Sequence, residues 1–280
     1  MNKENLSFLQ GNLKYLGFGE NMLINEQLEL LVEQQPNEII LFTEAYFDEH
    51  HKMEATLYFR RSSHSDMYFF NKYDARLIHD EESAKNREQI FYINKGSGIT
   101  FKESYNLLLG RSVYKKLTDR EGKEYYAWVK LNFEEKEEND NYKVQKFGFR
   151  YGFDLEKILS IYPIMELKSP DQKASLIRAL QRGNQQLVTL EKTNKIEKMY
   201  IEANPQYKTI NLYPTATGSS HRMVKQKEPS AMEEFENKPE EQYAFELEEA
   251  KSGDQEESTD EEKERIRKRI PLRKGSRKLI

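Results

Sequence analysis

Residues 169–213 read SPDQKASLIRALQRGNQQLVTLEKTNKIEKMYIEANPQYKTINLY, and this stretch decides the fold class. Ser169, Pro170 and Gln172 together form a helix start. The hydroxyl can cap free amides, the proline ring presets the first turn, and the glutamine can reach back. Leu176, Ile177 and Leu180 then recur at helical spacing, and Gly183 stops the helix. Residues 186–190, 196–201 and 209–213 are rich in β-branched and aromatic side chains and are separated by polar turns, so they read as strands. The unit is one helix followed by three strands, αβββ.

The same order stands near the other end of the chain. Residues 22–35 carry Leu23, Leu28, Leu31 and Val32 as a helical stripe closed by Pro36-Asn37. Strands are expected over 39–47, 55–59 and 67–71. Leu30-Leu31-Val32 matches Leu176-Ile177-Arg178, Pro36-Asn37 matches Gly183-Asn184, and Tyr58-Phe59 matches Tyr200-Ile201. These matches suggest a duplicated αβββ unit; coincidence is the alternative, because helix-then-meander is common.

Between the two units the signals are local. Leu6, Leu9, Leu13 and Leu16 make a first helix, ended by Gly17 and Gly19. A strand is expected over 89–94, then the turn Lys95-Gly96-Ser97-Gly98, then a helix with a capping box at Thr100 and Glu103 that stops at Gly110. Strands over 125–133 and 142–150 flank Asn139-Asp140-Asn141 as a hairpin, and Asp154 caps a short helix. The expected organisation is 1–84 for the N-terminal αβββ unit, 85–165 for a strand–helix–hairpin segment, 166–215 for the C-terminal unit, and 216–280 for a tail. The fold class is α+β, antiparallel sheets with packed helices.

Composition bounds the rest. The chain has 280 residues, 33% charged and 37% apolar, and no cysteine. That rules out disulfides, thiolate metal sites and thiol catalysis, and fits a reducing compartment. The first residues lack the apolar run of a signal peptide and no stretch is long enough for a membrane helix. A cytoplasmic location, without membrane contact, is expected. The net charge of −4 conceals two opposed segments. From Glu228 to Glu262 fifteen acidic residues face only Lys238 and Lys251, a net of −13. From Arg265 to Ile280 there are eight basic residues and no acidic one. Residues 216–280 hold too few large apolar groups to offset the entropy of ordering, so disorder is expected there.

Five phrases carry a resemblance: LKYLGFGE (13–20), DMYFFNKY (66–73), YNLLLGR (105–111), AWVKL (127–131) and IEANPQYKTINLY (201–213). Together they resemble a domain family of unknown function found in Bacteroides-type bacteria, whose members tend to be encoded on conjugative and other mobile elements. The resemblance spans roughly residues 5–214. It implies a bacterial setting linked to mobile DNA, and supplies no activity and no catalytic residues.

The candidate functional residues are few. Arg265, Arg267, Lys268, Arg269, Arg273, Lys274, Arg277 and Lys278 form a run suited to polyphosphate, where counterion release drives binding. The acidic segment before it could compete for the same cations. Lys95, Gly96, Ser97 and Gly98 precede a helix N-terminus and could hold an anion, or could be an ordinary strand-to-helix turn. Asp48-Glu49-His50-His51 reads as a solvated hairpin tip, because adjacent strand positions point to opposite faces and no second ligand pair is evident. Tyr68, Phe69, Phe70 and Tyr73, with Arg60, Arg61 and Lys72 nearby, could offer a stacking surface for bases or could simply fill a core. No catalytic motif, metal site or cofactor is expected. The leading expectation is a non-enzymatic accessory protein that touches nucleic acid through its basic tail; the alternative is a protein-interaction adaptor or inhibitor without nucleic-acid contact.

Overall fold

In the computed structural model of the chain the described residues are 3–19, 22–79, 83–94, 98–119, 121–192 and 195–215. They form helices α1 (Lys3–Leu16), α2 (Met22–Gln34), α3 (Phe101–Leu108), α4 (Leu155–Ser160) and α5 (Pro170–Gln181). The strands are β1 (Glu38–Tyr46), β2 (His51–Arg61), β3 (Tyr68–His79), β4 (Arg87–Tyr92), β5 (Val113–Thr118), β6 (Glu124–Lys136), β7 (Tyr142–Gly148), β8 (Gln186–Lys192), β9 (Lys195–Asn204) and β10 (Thr209–Pro214). Three antiparallel sheets result, ordered β1-β2-β3-β4, β5-β6-β7 and β8-β9-β10, so the chain is α+β. Contacts divide it into Met1–Val224 and Lys225–Ile280, and the second unit lies outside the described residues.

Two hydrophobic cores fill the first unit. One joins α1, α2 and α3 to the four-stranded sheet through residues such as Leu9, Leu28, Leu57, Tyr73 and Leu107. The other joins α4 and α5 to the last sheet through Leu159, Leu180, Val188, Ile201 and Leu212. Strand β6 serves both. Val129 and Leu131 belong to the first core and Trp128 to the second, because successive strand residues face opposite ways.

The two αβββ stretches share strand order and register. Leu41 pairs with Leu57 as Val188 pairs with Met199, Ile40 with Tyr58 as Leu187 with Tyr200, and Phe59 with Phe70 as Ile201 with Leu212. The buried positions agree too: Leu41, Leu57, Phe59, Tyr68 and Phe70 answer to Val188, Met199, Ile201, Ile210 and Leu212. The helices correspond two residues away from the expected match. The buried stripes align Leu28 with Leu176 and Val32 with Leu180, and so bring Gln35 (φ 54°) onto Gly183 (φ 79°). Burial, not the run of aliphatic letters, sets helical phase. The N-terminal αβββ stretch also has a bulge after Tyr58 and a fourth strand in its sheet.

Local expectations fared unevenly. Thr100 and Glu103 form the full capping box, and the Asp154 carboxylate accepts from the Lys157 amide at 3.1 Å. Ser169 occupies the cap position of α5 but its hydroxyl makes no cap bond, while its carbonyl accepts from Lys173 at 2.9 Å. Strand β5 had no counterpart in the sequence reading, since Lys115 and Lys116 interrupt its alternation.

Candidate functional site

The basic residues Arg265, Arg267, Lys268, Arg269, Arg273, Lys274, Arg277 and Lys278 lie outside the described residues, as do Lys95, Gly96 and Ser97. Gly98 is described; a β-carbon there would come within 3.3 Å of the Tyr92 carbonyl. The helix that follows is capped from within. Thr100 donates its amide to Glu103 Oε2 at 2.8 Å, and Lys115 Nζ approaches the same oxygen at 2.6 Å. Glu103 is buried, so an anion reaching this helix end would compete with a carboxylate already neutralised by Lys115.

The hairpin tip departs from its reading as a solvated turn. Asp48 and His51 fold inward, and His51 is only 7% exposed. The Asp48 carboxylate accepts from the Tyr105 hydroxyl, from the His50 amide at 2.9 Å, and meets His51 Nδ1 at 2.7 Å. The His79 ring packs edge-on to His51 with centroids 4.5 Å apart. Lys102 stands over two rings, 4.4 Å from the centroid of Phe47 and 4.1 Å from that of Tyr105. These side chains come from β1–β2, β3 and α3. A strand pattern explains His51 and His79, which are register partners, and a helical pattern explains Lys102 and Tyr105.

The electrostatics follow from this crowding. Burial opposes ionisation of Asp48, but the donors from Tyr105, His51 and the His50 amide outweigh it and hold its carboxyl at about 2. Burial, with Arg111 adding and Asp48 opposing, brings the Lys102 amine down to about 8. Burial and the hydrogen bond to Asp48 raise the Tyr105 phenol. Among the described residues no group of three His, Asp or Glu is arranged to hold a metal ion.

From Tyr105 the polar contacts run on into the last sheet. Arg111 Nη1 donates to Asn106 Oδ1 at 3.0 Å, and Arg111 Nε stands 3.5 Å from Glu202. Glu202 accepts from the Tyr213 hydroxyl at 2.6 Å and from Asn211 at 2.8 Å. Asn106 donates to the Arg182 carbonyl at 2.8 Å and to Asn184 Oδ1 at 2.9 Å. The arrangement ties the two cores together. Its acids are held by donors, which suits cohesion, while burial brings the Lys102 amine toward neutrality.

The aromatic strand alternates from Tyr68 to Phe70, and the irregularity in the β2–β3 register then shifts the buried phase to Tyr73. Tyr68, Phe70 and Tyr73 are buried and Phe69 is exposed. On that outer face Lys72 lies 4.3 Å over the Tyr58 ring. The face bears Lys52, Arg60, Lys72 and Arg76 against Glu38, Glu44, Glu54, Asp74 and Glu88. Its charges nearly cancel, so it lacks the positive groove that single-stranded nucleic acid favours. A hollow of about 410 Å³ lies on the same face, lined by Phe42, Glu54, Asp74, Arg76 and Glu88 among others. Among the described residues no helix is long and apolar enough to cross a membrane.

Comparison with protein families, with curated proteins and with solved structures finds no match to this chain.

Proposed function

We propose that the chain is a non-enzymatic binding protein of a bacterial mobile element, with nucleic acid held by the basic run 265–278. One observation carries the reading: eight cations and no acid between Arg265 and Ile280. Such a run displaces condensed counterions from a phosphate backbone, and needs no pocket to do so. The preceding acidic segment, 228–262, competes for these cations and restrains indiscriminate binding. The resemblance of residues 5–214 to a family associated with mobile elements supports the setting. In this reading the duplicated αβββ pair is the scaffold from which the tail acts.

Fluorescence anisotropy with labelled single- and double-stranded DNA tests this, comparing the full chain with one ending at Lys227 over a salt series. The full chain is expected to bind, with log K falling against log salt at up to about −7 if every cation meets a phosphate of duplex DNA. Equal binding by the shorter chain would move the contact into the folded unit. Absence of binding by both, even at low salt, would end the nucleic-acid reading. A protein-docking role is favoured by a separate observation, the outer edge of β1.

A further inference from the structure

Strand β1 is the edge of the four-stranded sheet. The Arg61 amide donates to the Asn37 carbonyl at 3.0 Å, which continues the β1–β2 register and fixes its phase. Narrow hydrogen-bonded pairs alternate along an antiparallel ladder. So Asn37, Ile39, Leu41, Thr43 and Ala45 bond toward β2. Glu38, Ile40, Phe42, Glu44 and Tyr46 aim their backbone N–H and C=O groups away from it.

Two other edges in the molecule are partly capped. On β4, the Ile90 amide donates to Asn141 Oδ1 at 2.9 Å. On β8, Thr189 donates to the Glu166 carboxylate at 3.0 Å and Glu191 donates to the Pro163 carbonyl at 2.9 Å, while Ile164 bridges Leu190. Strand β8 is the register counterpart of β1, and Thr189 and Glu191 answer to Phe42 and Glu44. The chain covers β8 with the residues leading into α5. It has no such length to spend before α2, since only residues 17–21 separate α1 from α2. Among the described residues no strand or bridge pairs with the outer side of β1.

Of the devices that discourage pairing, this edge carries only the charges of Glu38 and Glu44. Edges are blunted by lysine, proline or bulges. Strand β7 carries Lys143 and Lys146, and β10 ends in Pro214. Between Glu38 and Tyr46 there is no Lys, Arg or Pro, and Ile40, Phe42 and Tyr46 are 55%, 56% and 62% exposed.

We propose that a second copy of this chain pairs here, β1 against β1 in antiparallel fashion about a two-fold axis at Phe42. That register engages all five outward residues. Phe42 meets its own counterpart, Ile40 stands opposite Glu44, and Glu38 stands opposite Tyr46. No like charges face each other, as directly opposed like charges would be unfavourable. Sliding one ladder step in one direction sets Glu38 against Glu44; sliding in the other leaves Glu38 beyond the strand. Lys52 lies 2.8 Å from Glu44, which relieves the remaining negative charge at the seam. The product is one continuous eight-stranded sheet with an isologous interface.

Sedimentation velocity of the full chain over a concentration series, with amide hydrogen exchange, tests the pairing. The expected result is a monomer-to-dimer transition in which the Ile40, Phe42 and Glu44 amides gain protection with concentration. Phe42→Pro removes an outward donor and leaves the β2 ladder intact, because edge positions tolerate proline. It is expected to sediment as a monomer whose thermal unfolding matches that of the parent at concentrations where the parent is itself monomeric. Were Phe42→Pro to misfold, the concentration-dependent protection in the unaltered chain decides alone. A chain monomeric at every concentration, a folded Phe42→Pro that still dimerises, or a dimer whose edge amides stay unprotected would each overturn the proposal.

Discussion

Gly183→Ala probes the join between the two cores. Gly183 has φ 79°, and a β-carbon built on it would lie 3.0 Å from Asn106 Cβ, from the Ser112 carbonyl and from Val113 Cγ2. The left-handed backbone alone costs an L-residue about 1–2 kcal/mol. The contacts add an overpacking penalty of about 1–3 kcal/mol, and one of them is backbone. None can yield easily: Asn106 is fully buried and bonded to Arg182 and Asn184, and Ser112 and Val113 are buried as well. The expected loss is therefore about 2–5 kcal/mol. Its counterpart Gln35 has φ 54° with an exposed side chain, and Gln35→Gly should change stability by no more than about 1 kcal/mol, because relief of strain is offset by the freer unfolded chain. Urea denaturation of the full chain, followed by circular dichroism, measures both. A Gly183→Ala protein within about 0.5 kcal/mol of the parent would refute the close packing argued for this join.

Two further outcomes follow from the site and from the edge of β4. The folded-state pKa of Lys102, about 8, is below the unfolded 10.5, so the unfolded chain binds more protons between these values and stability rises with pH across that window. Lys102→Met should abolish that component of the rise in pH-dependent denaturation; the difference between the two proteins also removes the opposing contribution of the raised phenols of Tyr105 and Tyr213. An unchanged pH profile would show that the amine is not desolvated. Asn141→Ala strips the Ile90 amide of its acceptor and should cost about 1–3 kcal/mol, with faster hydrogen exchange at Ile90. Exchange at Ile90 as slow as in the parent would place another acceptor at that edge.

The elements were legible where the signal is short-range. Leu6, Leu9, Leu13 and Leu16 mark α1 because helical spacing brings them to one side, and all four are buried. Thr100 and Glu103 announce α3 through a contact spanning one turn. Strand β5 was obscured because Tyr114 and Lys115 are half-buried beside Val113, so neither face reads as plainly apolar. The Asp48 cluster was hidden for a different reason. Its central contact joins Asp48 to Tyr105, 57 residues on, and depends on how α3 docks beneath the β1–β2 turn. Local pattern predicts that the turn is polar; only tertiary packing decides that its carboxylate faces inward. The phase of β1 is equally silent in sequence, since Ile39 and Ile40 are the same residue type yet one is buried and the other 55% exposed.

The order of the strands has a consequence for how the molecule reaches this state. In each sheet every strand bonds only to its sequence neighbours. Each ladder therefore grows by closing a short loop, and the entropy of loop closure is small and incurred in steps. Pairings of this kind form rapidly compared with sheets that recruit distant strands. What comes from afar are the seams, such as Asn5 with the Tyr68 backbone, Asn106 with Arg182, and Lys130 with Gln206. Local closure thus favours the three meanders as the first units to form, and the seams are the contacts that close the longest loops.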